Sequence, residues 1–335
     1  MKAILLDRTG GPEVLRRADV PDPSPGKGEV VVRLRAAALN HRDVWIRKGR
    51  YPKLRFPIVL GSDGAGDVID AGPSVPASLI GKAVVIDPAF QWGDNPRAQG
   101  DAFHILGQQM PGTYAERIVV PATHVHEKPA HLSYSEAAAL PLAFVTAYRA
   151  LATRAAVQPR ERVLITGIGG GVATSALVLA SALGAEVFVT SGSDAKIARA
   201  MSHGVAGGVN HHDPEWPKIF VTRFGRRPDV VVDGAGGETF DRALDILTPG
   251  GRLVSYGATL GAAPQVEVRR IFWKQLSVLG STMGTRDDFA AMIACCVSRA
   301  LTPIVDVVLP LSNAAEAHQR METGAQFGKI VLDVT

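Results

Sequence analysis

Between residues 163 and 183 an apolar run, Val163–Thr166 (VLIT), ends in Gly167-Ile168-Gly169-Gly170-Gly171-Val172-Ala173 and passes into a helical stretch that reaches Leu183. No other feature constrains the fold as much. A glycine-rich string alone is weak evidence, but a strand before it and a helix after it are the context that a dinucleotide fingerprint requires. Glycines let the turn close and let backbone N–H groups approach a pyrophosphate, while the helix N-terminus adds partial positive charge. The small Ala173 allows helix and strand to pack closely. The alternation then continues through apolar runs at Glu186–Thr190, Gly208–Asn210, Asp229–Asp233, Arg252–Tyr256 and Ser277–Gly280, with a helix around Asp194–His203. Apolar strands joined by helices predict an α/β fold with a doubly wound parallel sheet covered on both faces.

A chain of 335 residues exceeds one ordinary core, so a second domain is expected. The first ~125 residues read as β-rich, with short runs at Glu29–Leu34, Gly66–Ala71, Ala83–Ile86 and Ala115–Val120. Near Leu132 the texture changes, and Ser133 or Ser135 can cap an Ala-rich helix. After Met283 come a helix at Asp287–Ala300, a strand at Ile304–Leu309, a helix near Ser312–Glu322 and a strand at Lys329–Val334. These last residues are too few for their own core, and the expected division is 1–125 with 284–335 against 126–283.

Composition narrows the class further. The net charge of +4 is dispersed, and its densest group, Arg223–Arg227, reads as a solvated helix end rather than a nucleic-acid patch. The two cysteines, Cys295 and Cys296, are adjacent and suggest no disulfide framework. No stretch of about 18 apolar residues occurs and the N-terminus lacks a signal-peptide pattern, so a soluble cytoplasmic protein without membrane or nucleic-acid partners is expected.

The second strand bears on cofactor choice. NAD sites usually end that strand with a carboxylate for the ribose hydroxyls. Here it ends Thr190-Ser191-Gly192-Ser193, with Lys196 one helical turn on. Hydroxyls plus a cation suit a 2′-phosphate, so Ser191, Ser193 and Lys196 point to NADPH. Asp194 complicates this, but it reads better as a helix-start acid facing the dipole.

Asn40-His41-Arg42-Asp43 followed by Arg47-Lys48-Gly49-Arg50-Tyr51-Pro52 resembles the N-x-x-D…R-x-G-x-Y pattern of quinone oxidoreductases. Gly61-Ser62-Asp63-Gly64-Ala65-Gly66 resembles the G-H-E-x-x-G segment of the medium-chain dehydrogenase/reductase superfamily, and Glu136–Ala147 its linker into the nucleotide domain. With Phe327-Gly328-Lys329, the resemblance covers essentially the whole chain. It implies a GroES-like β-rich domain plus a Rossmann domain, with NADPH in the cleft between them and the substrate against Asn40, Tyr51 and Leu142. It further implies that Tyr51 lines the active cleft, either as the catalytic proton donor or only as its wall, and that Asn40 lies near the nicotinamide as a catalytic residue holding the carbonyl or the ring. Thr146, Gly169, Gly170, Gly171, Val172, Gly234, Tyr256, Phe327 and Lys329 join the strand-tip residues in holding the cofactor, and Asp43 and Asp63 are structural. Two copies are expected to pair through the edge strand Ser277–Met283, whose apolar edge needs cover.

The departures from that family matter as much. Zinc-dependent members place Cys, His and Cys or an acid where this chain has Asn40, Ser62 and Leu142, and the loop Phe90–Phe103 carries none of the cysteines of a structural zinc. No metal is therefore expected, and the His124/His126 and His211/His212 pairs read as surface or satisfied histidines. Without a Lewis acid the acceptor must already be electrophilic, which favours a quinone or α,β-unsaturated carbonyl. The alternatives are a zinc-free enoyl-thioester reductase and a non-catalytic NADPH-binding protein of the same fold.

Overall fold

The computed structural model describes residues 1–335 and divides the chain into two compact units: Met1–Ala143 with Thr285–Thr335, and Phe144–Gly284.

The first unit is built on one long strand, Glu29–Ala38, at the centre of a seven-stranded sheet. It pairs antiparallel with Asp63–Ala71, Arg117–Pro121 and Lys329–Asp333. Val30, Val32 and Leu34 on one face pack with Val68, Val84, Ile86 and Phe90. A smaller sheet joins Lys2–Leu6 to Leu15–Asp19 and Ile58–Val59. The C-terminal strand thus returns to the first domain, as its brevity requires.

Residues 126–143, grouped by sequence texture with the nucleotide half, belong instead to this first unit. The reason is local. Ser133 caps the helix Tyr134–Ala138, which packs against Glu29–Ala38 and Asp63–Ala71, and the Leu142 amide donates to Asp63 Oδ1 at 2.8 Å. The helix Pro141–Tyr148 then runs into a π-helical segment, Arg149–Arg154, at the start of the second unit.

The second unit holds six parallel strands in the order Gly207–Asn210, Glu186–Ser191, Arg162–Ile165, Val230–Asp233, Arg252–Ser255, Ser277–Gly280. This is the 3-2-1-4-5-6 order of the Rossmann fold, with its topological switch between Arg162–Ile165 and Val230–Asp233. Leu164, Phe188, Val231 and Leu253 form the sheet's side of a core completed by Trp216 and Phe220. The last strand is a sheet edge with Val278 exposed, and nearby in sequence Phe272 and Trp273 are exposed too. No helix is long and apolar enough to cross a membrane.

Candidate functional site

Sheet register assembles the polar cluster of the first unit. Ala38 lies opposite both Val331 and Asp63, so Asn40, Asp63 and Lys329 meet at one end of three strands. Lys329 Nζ donates to Leu39 O at 2.6 Å, Asn40 Oδ1 at 2.7 Å and Asp63 Oδ2 at 2.8 Å. All three ammonium hydrogens are thereby used. Asn40 Nδ2 donates to the same Asp63 Oδ2 at 2.9 Å. All three side chains are buried. Lys329, expected among the cofactor ligands, gives these bonds to Leu39, Asn40 and Asp63. Phe327 is likewise buried, with its amide donating to Asp306 Oδ1.

A second layer supports the first. The helix His41–Arg47 begins here, with the Asn40 amide donating to Asp43 Oδ2 at 2.9 Å. Tyr114 donates to the same oxygen, and burial pushes the Asp43 carboxyl above the usual range against the pull of Arg42. Arg42 is buried and donates to Ser62 Oγ at 2.6 Å, Leu106 O at 2.8 Å and Gln108 Oε1 at 3.1 Å. Its guanidinium lies 5.5 Å from the centre of the Tyr51 ring, and Gln108 Nε2 donates to Pro52 O, so Arg42 and Gln108 brace the Tyr51 loop. Sequence reading missed Arg42 as a buried cation, because a lone arginine in a polar motif carries no burial signal.

In the second unit the glycine-rich turn has the form expected of it. Gly167 and Gly169 take positive φ, and the Gly167 amide donates to Thr190 Oγ1. Gly170 precedes the helix Gly171–Ala182 with no side chain capping it, and a Cβ added at Gly167 or Gly170 would meet open space. The first amides of that helix, including those of Gly171 and Val172, have no intrahelical acceptors, the arrangement that suits an anion at a helix N-terminus. Across the switch point Thr166 donates to Asp233 Oδ1 at 2.6 Å, and the amides of Ala235 and Gly236 also donate to Asp233. Burial raises that carboxyl. The Tyr256 ring fills the space a side chain at Gly234 would need, and burial holds its phenol well above the usual range. Thr146 is buried, with Oγ1 4.0 Å from Met283 Sδ.

At the second strand's tip, Ser191 Oγ accepts from the Ser193 amide at 3.1 Å, and Ser193 caps the helix Asp194–Met201 through the Lys196 amide at 3.4 Å. Asp194 accepts from Asn210 Nδ2 at 3.0 Å.

A family model described as an alcohol dehydrogenase GroES-like domain matches residues 26–130, and one described as a zinc-binding dehydrogenase matches residues 171–298. The zinc-type alcohol dehydrogenase-like protein YogA of Leptosphaeria maculans is 35% identical over 334 residues, covering 94% of this chain and 93% of its own. This chain belongs to the medium-chain dehydrogenase/reductase superfamily. Two further members of that superfamily, each 28% identical and each matching 99% of this chain, are an acryloyl-coenzyme A reductase of Sulfurisphaera tokodaii (99% of its own length) and the human quinone oxidoreductase (97%). Among solved structures, one described as an NAD-dependent alcohol dehydrogenase superposes with a TM-score of 0.94 at 41% identity, covering 100% of both chains.

The superfamily binds a nicotinamide cofactor, and the glycine cradle, the uncapped helix and the hydroxyl-lined strand tip fit such a dinucleotide. A catalytic zinc fits poorly. Asn40 Oδ1 lies 2.7 Å from an ammonium group, Ser62 Oγ is held by Arg42 and by Leu106 O, and Leu142 offers no donor. No group of three or more His, Cys, Asp or Glu side chains could hold a metal ion.

Proposed function

We propose that this medium-chain oxidoreductase uses NADPH to reduce a quinone or an α,β-unsaturated carbonyl, without zinc. The observation that carries the reading is the Lys329–Asn40–Asp63 cluster, where an ammonium group lies against the position that zinc-dependent relatives give to a metal ligand. Fixed positive charge replaces a removable Lewis acid, so the acceptor has to be electrophilic by its own conjugation.

When bound, the nicotinamide supplies the hydride. The chain's own residues orient and stabilise. Asn40 has one amide N–H beyond the one given to Asp63, and that N–H is available to a carbonyl oxygen. The Tyr51 phenol, braced by Arg42, stabilises negative charge developing on the substrate oxygen and donates the proton. Gly169, Gly170, Gly171 and Val172 hold the pyrophosphate; Thr146, Gly234 and Tyr256 shape the remainder of the cofactor site; Ser191, Ser193 and Lys196 receive the 2′-phosphate. A carboxylate at the strand tip, usual for NAD, is missing from this sequence, and that favours NADPH despite the NAD-dependent description of the 41% identical neighbour.

The acryloyl-coenzyme A reductase likeness favours a second reading, reduction of an enoyl thioester by the same site. NADPH oxidation against a panel of quinones, enones and enoyl thioesters separates the two. Turnover of quinones or enones well above thioesters is expected, and the reverse order would install the second reading. No turnover of any of them, with NADPH still bound, would leave a binding protein without this chemistry. We also propose a homodimer formed by pairing the Ser277–Gly280 edges, which would cover Val278.

A further inference from the structure

Two adjacent histidines, His211 and His212, follow the third strand of the parallel sheet. In that sheet Asn210 lies opposite Ser191, so the next residue, His211, comes level with Gly192 at the second strand's tip. The His211 amide donates to Ser191 O at 3.0 Å, and its Nδ1 lies 3.4 Å from Thr190 Oγ1. The two rings stand edge to face, 5.2 Å apart. A Cβ added at Gly192 would come within 2.4 Å of His212 Nε2 and 3.2 Å of His211 Nε2. Both Nε2 atoms therefore converge on the backbone of Gly192, between Ser191 and Ser193. In a dinucleotide-binding sheet this tip is where the adenosine ribose is read.

We propose that the His211–His212 pair reads the 2′-phosphate of NADPH and makes its binding proton-linked, so that the preference for NADPH over NADH rises as the pH falls. The inference rests on the NADPH reading above. Neutral imidazoles close to a phosphate offer at most one N–H each, whereas imidazolium rings add charge as well. In the free protein, burial and the neighbouring His212 hold His211 below the ordinary histidine range. A dianionic phosphate against these rings raises their pKa, so binding takes up protons. By linkage, affinity then increases as pH falls through the window between the free and bound values, by up to about tenfold per pH unit for each proton taken up. The gain levels off near about pH 6, where the phosphate itself gains a proton.

The other charged groups around the pair have settled places. Asp194, on the helix after the second strand, accepts from Asn210. It lines a small cavity with Asp213, from the histidines' own loop, and Arg223, from the helix Trp216–Phe224. Lys196, on the same helix as Asp194, is the other cation of the strand tip.

The test is the dissociation constant of NADPH and of NADH, by fluorescence titration between about pH 6 and about pH 8.5. It uses the wild-type chain, His211→Gln, His212→Gln and the double variant, and calorimetry in buffers of different ionisation enthalpy counts the protons taken up. The wild type should bind NADPH at least about fivefold more tightly at pH 6.5 than at pH 8, within the linkage limit, while NADH changes less than about twofold. The double variant should flatten the NADPH profile, abolish proton uptake and bind NADH as before, which also shows that the site is folded. A flat wild-type NADPH profile, or a double variant that keeps the wild-type slope, overturns the role of the pair while the NADPH reading stands. Equal affinity for NADH and NADPH at every pH overturns the NADPH reading itself.

Discussion

Lys329→Met tests the architecture of the first unit's polar cluster most directly. Methionine keeps an unbranched chain of similar length and removes only the charge and its three hydrogen bonds. The wild-type ammonium is 2% exposed and serves Leu39 O, Asn40 Oδ1 and a fully buried Asp63. After substitution Asp63 keeps Asn40 Nδ2 and the Leu142 amide, but it becomes a buried carboxylate without a countercharge. Removing one partner of a buried pair costs about 3–5 kcal/mol, a large share of the roughly 5–15 kcal/mol that stabilises a typical domain. At about 2 °C per kcal/mol for a chain of this size, calorimetry should show Tm falling by on the order of 6–10 °C. Adding Asp63→Asn removes the orphaned charge, and the double variant should recover at least about half of the loss, because replacing both partners avoids the uncompensated desolvation. A single variant within about 2 °C of wild type, or a double variant no better than the single, refutes the view that Lys329 serves chiefly to neutralise Asp63 and fix Asn40.

Three further outcomes are expected. Elemental analysis should find no stoichiometric zinc, and chelators should leave activity intact; one zinc per chain with chelator-sensitive turnover would overturn the reading of Asn40, Ser62 and Leu142. Tyr51→Phe should lower kcat by about 10²-fold or more, as for loss of a positioned proton donor, while NADPH affinity and Tm hold; an unchanged kcat would leave Tyr51 as a wall of the site. His318, fully buried with Nδ1 accepting from Arg47, has its pKa pushed down to about 3 by burial. The unfolded chain therefore binds more protons between about pH 6.5 and 3, and this group removes stability as pH falls through that window, about 2 kcal/mol by pH 5. In urea unfolding His318→Gln should lose less stability than wild type between pH 7 and pH 5, and equal losses would contradict the assignment.

Much of the fold was legible because its signals are local. Val163–Ile165, Val230–Val232 and Leu253–Val254 are apolar on both sides, as strands of a covered parallel sheet must be, and all are buried. The helix His41–Arg47 was hidden for the opposite reason. It is seven residues long, and Asn40 with Asp43 three residues on, a helix-start pairing, was absorbed into a longer polar motif. The helices Trp216–Phe224 and Gly237–Ile246 were not delimited either, beyond a helix end at Arg223–Arg227; one carries a proline in its first turn and the other opens on consecutive glycines, both of which are turn signals. The first unit's boundary ran eighteen residues further than texture suggested, from 125 to 143, because what ties 126–143 down is the packing of Tyr134–Ala138 on two strands and the Leu142–Asp63 bond, contacts that composition does not encode.

The site was legible only where neighbours in sequence are neighbours in space. The glycine cradle, Ser191, Ser193 and the Asn40 motif are of that kind. Lys329 is 266 residues from Asp63 and 289 from Asn40, so family pattern could flag the lysine but could not say what it bonds. Two strand registers make that decision: Val331 opposite Ala38 carries Lys329 to Asn40, and Ala38 opposite Asp63 brings the acid to both. The histidine pair is the same case in a parallel sheet. Read alone, His211-His212 is an ordinary polar loop; with Asn210 opposite Ser191, it is brought onto the tip of the second strand. A one-residue slip in any of these registers would turn the side chains to the opposite face. Sequence therefore nominates the groups, and register decides which of them meet.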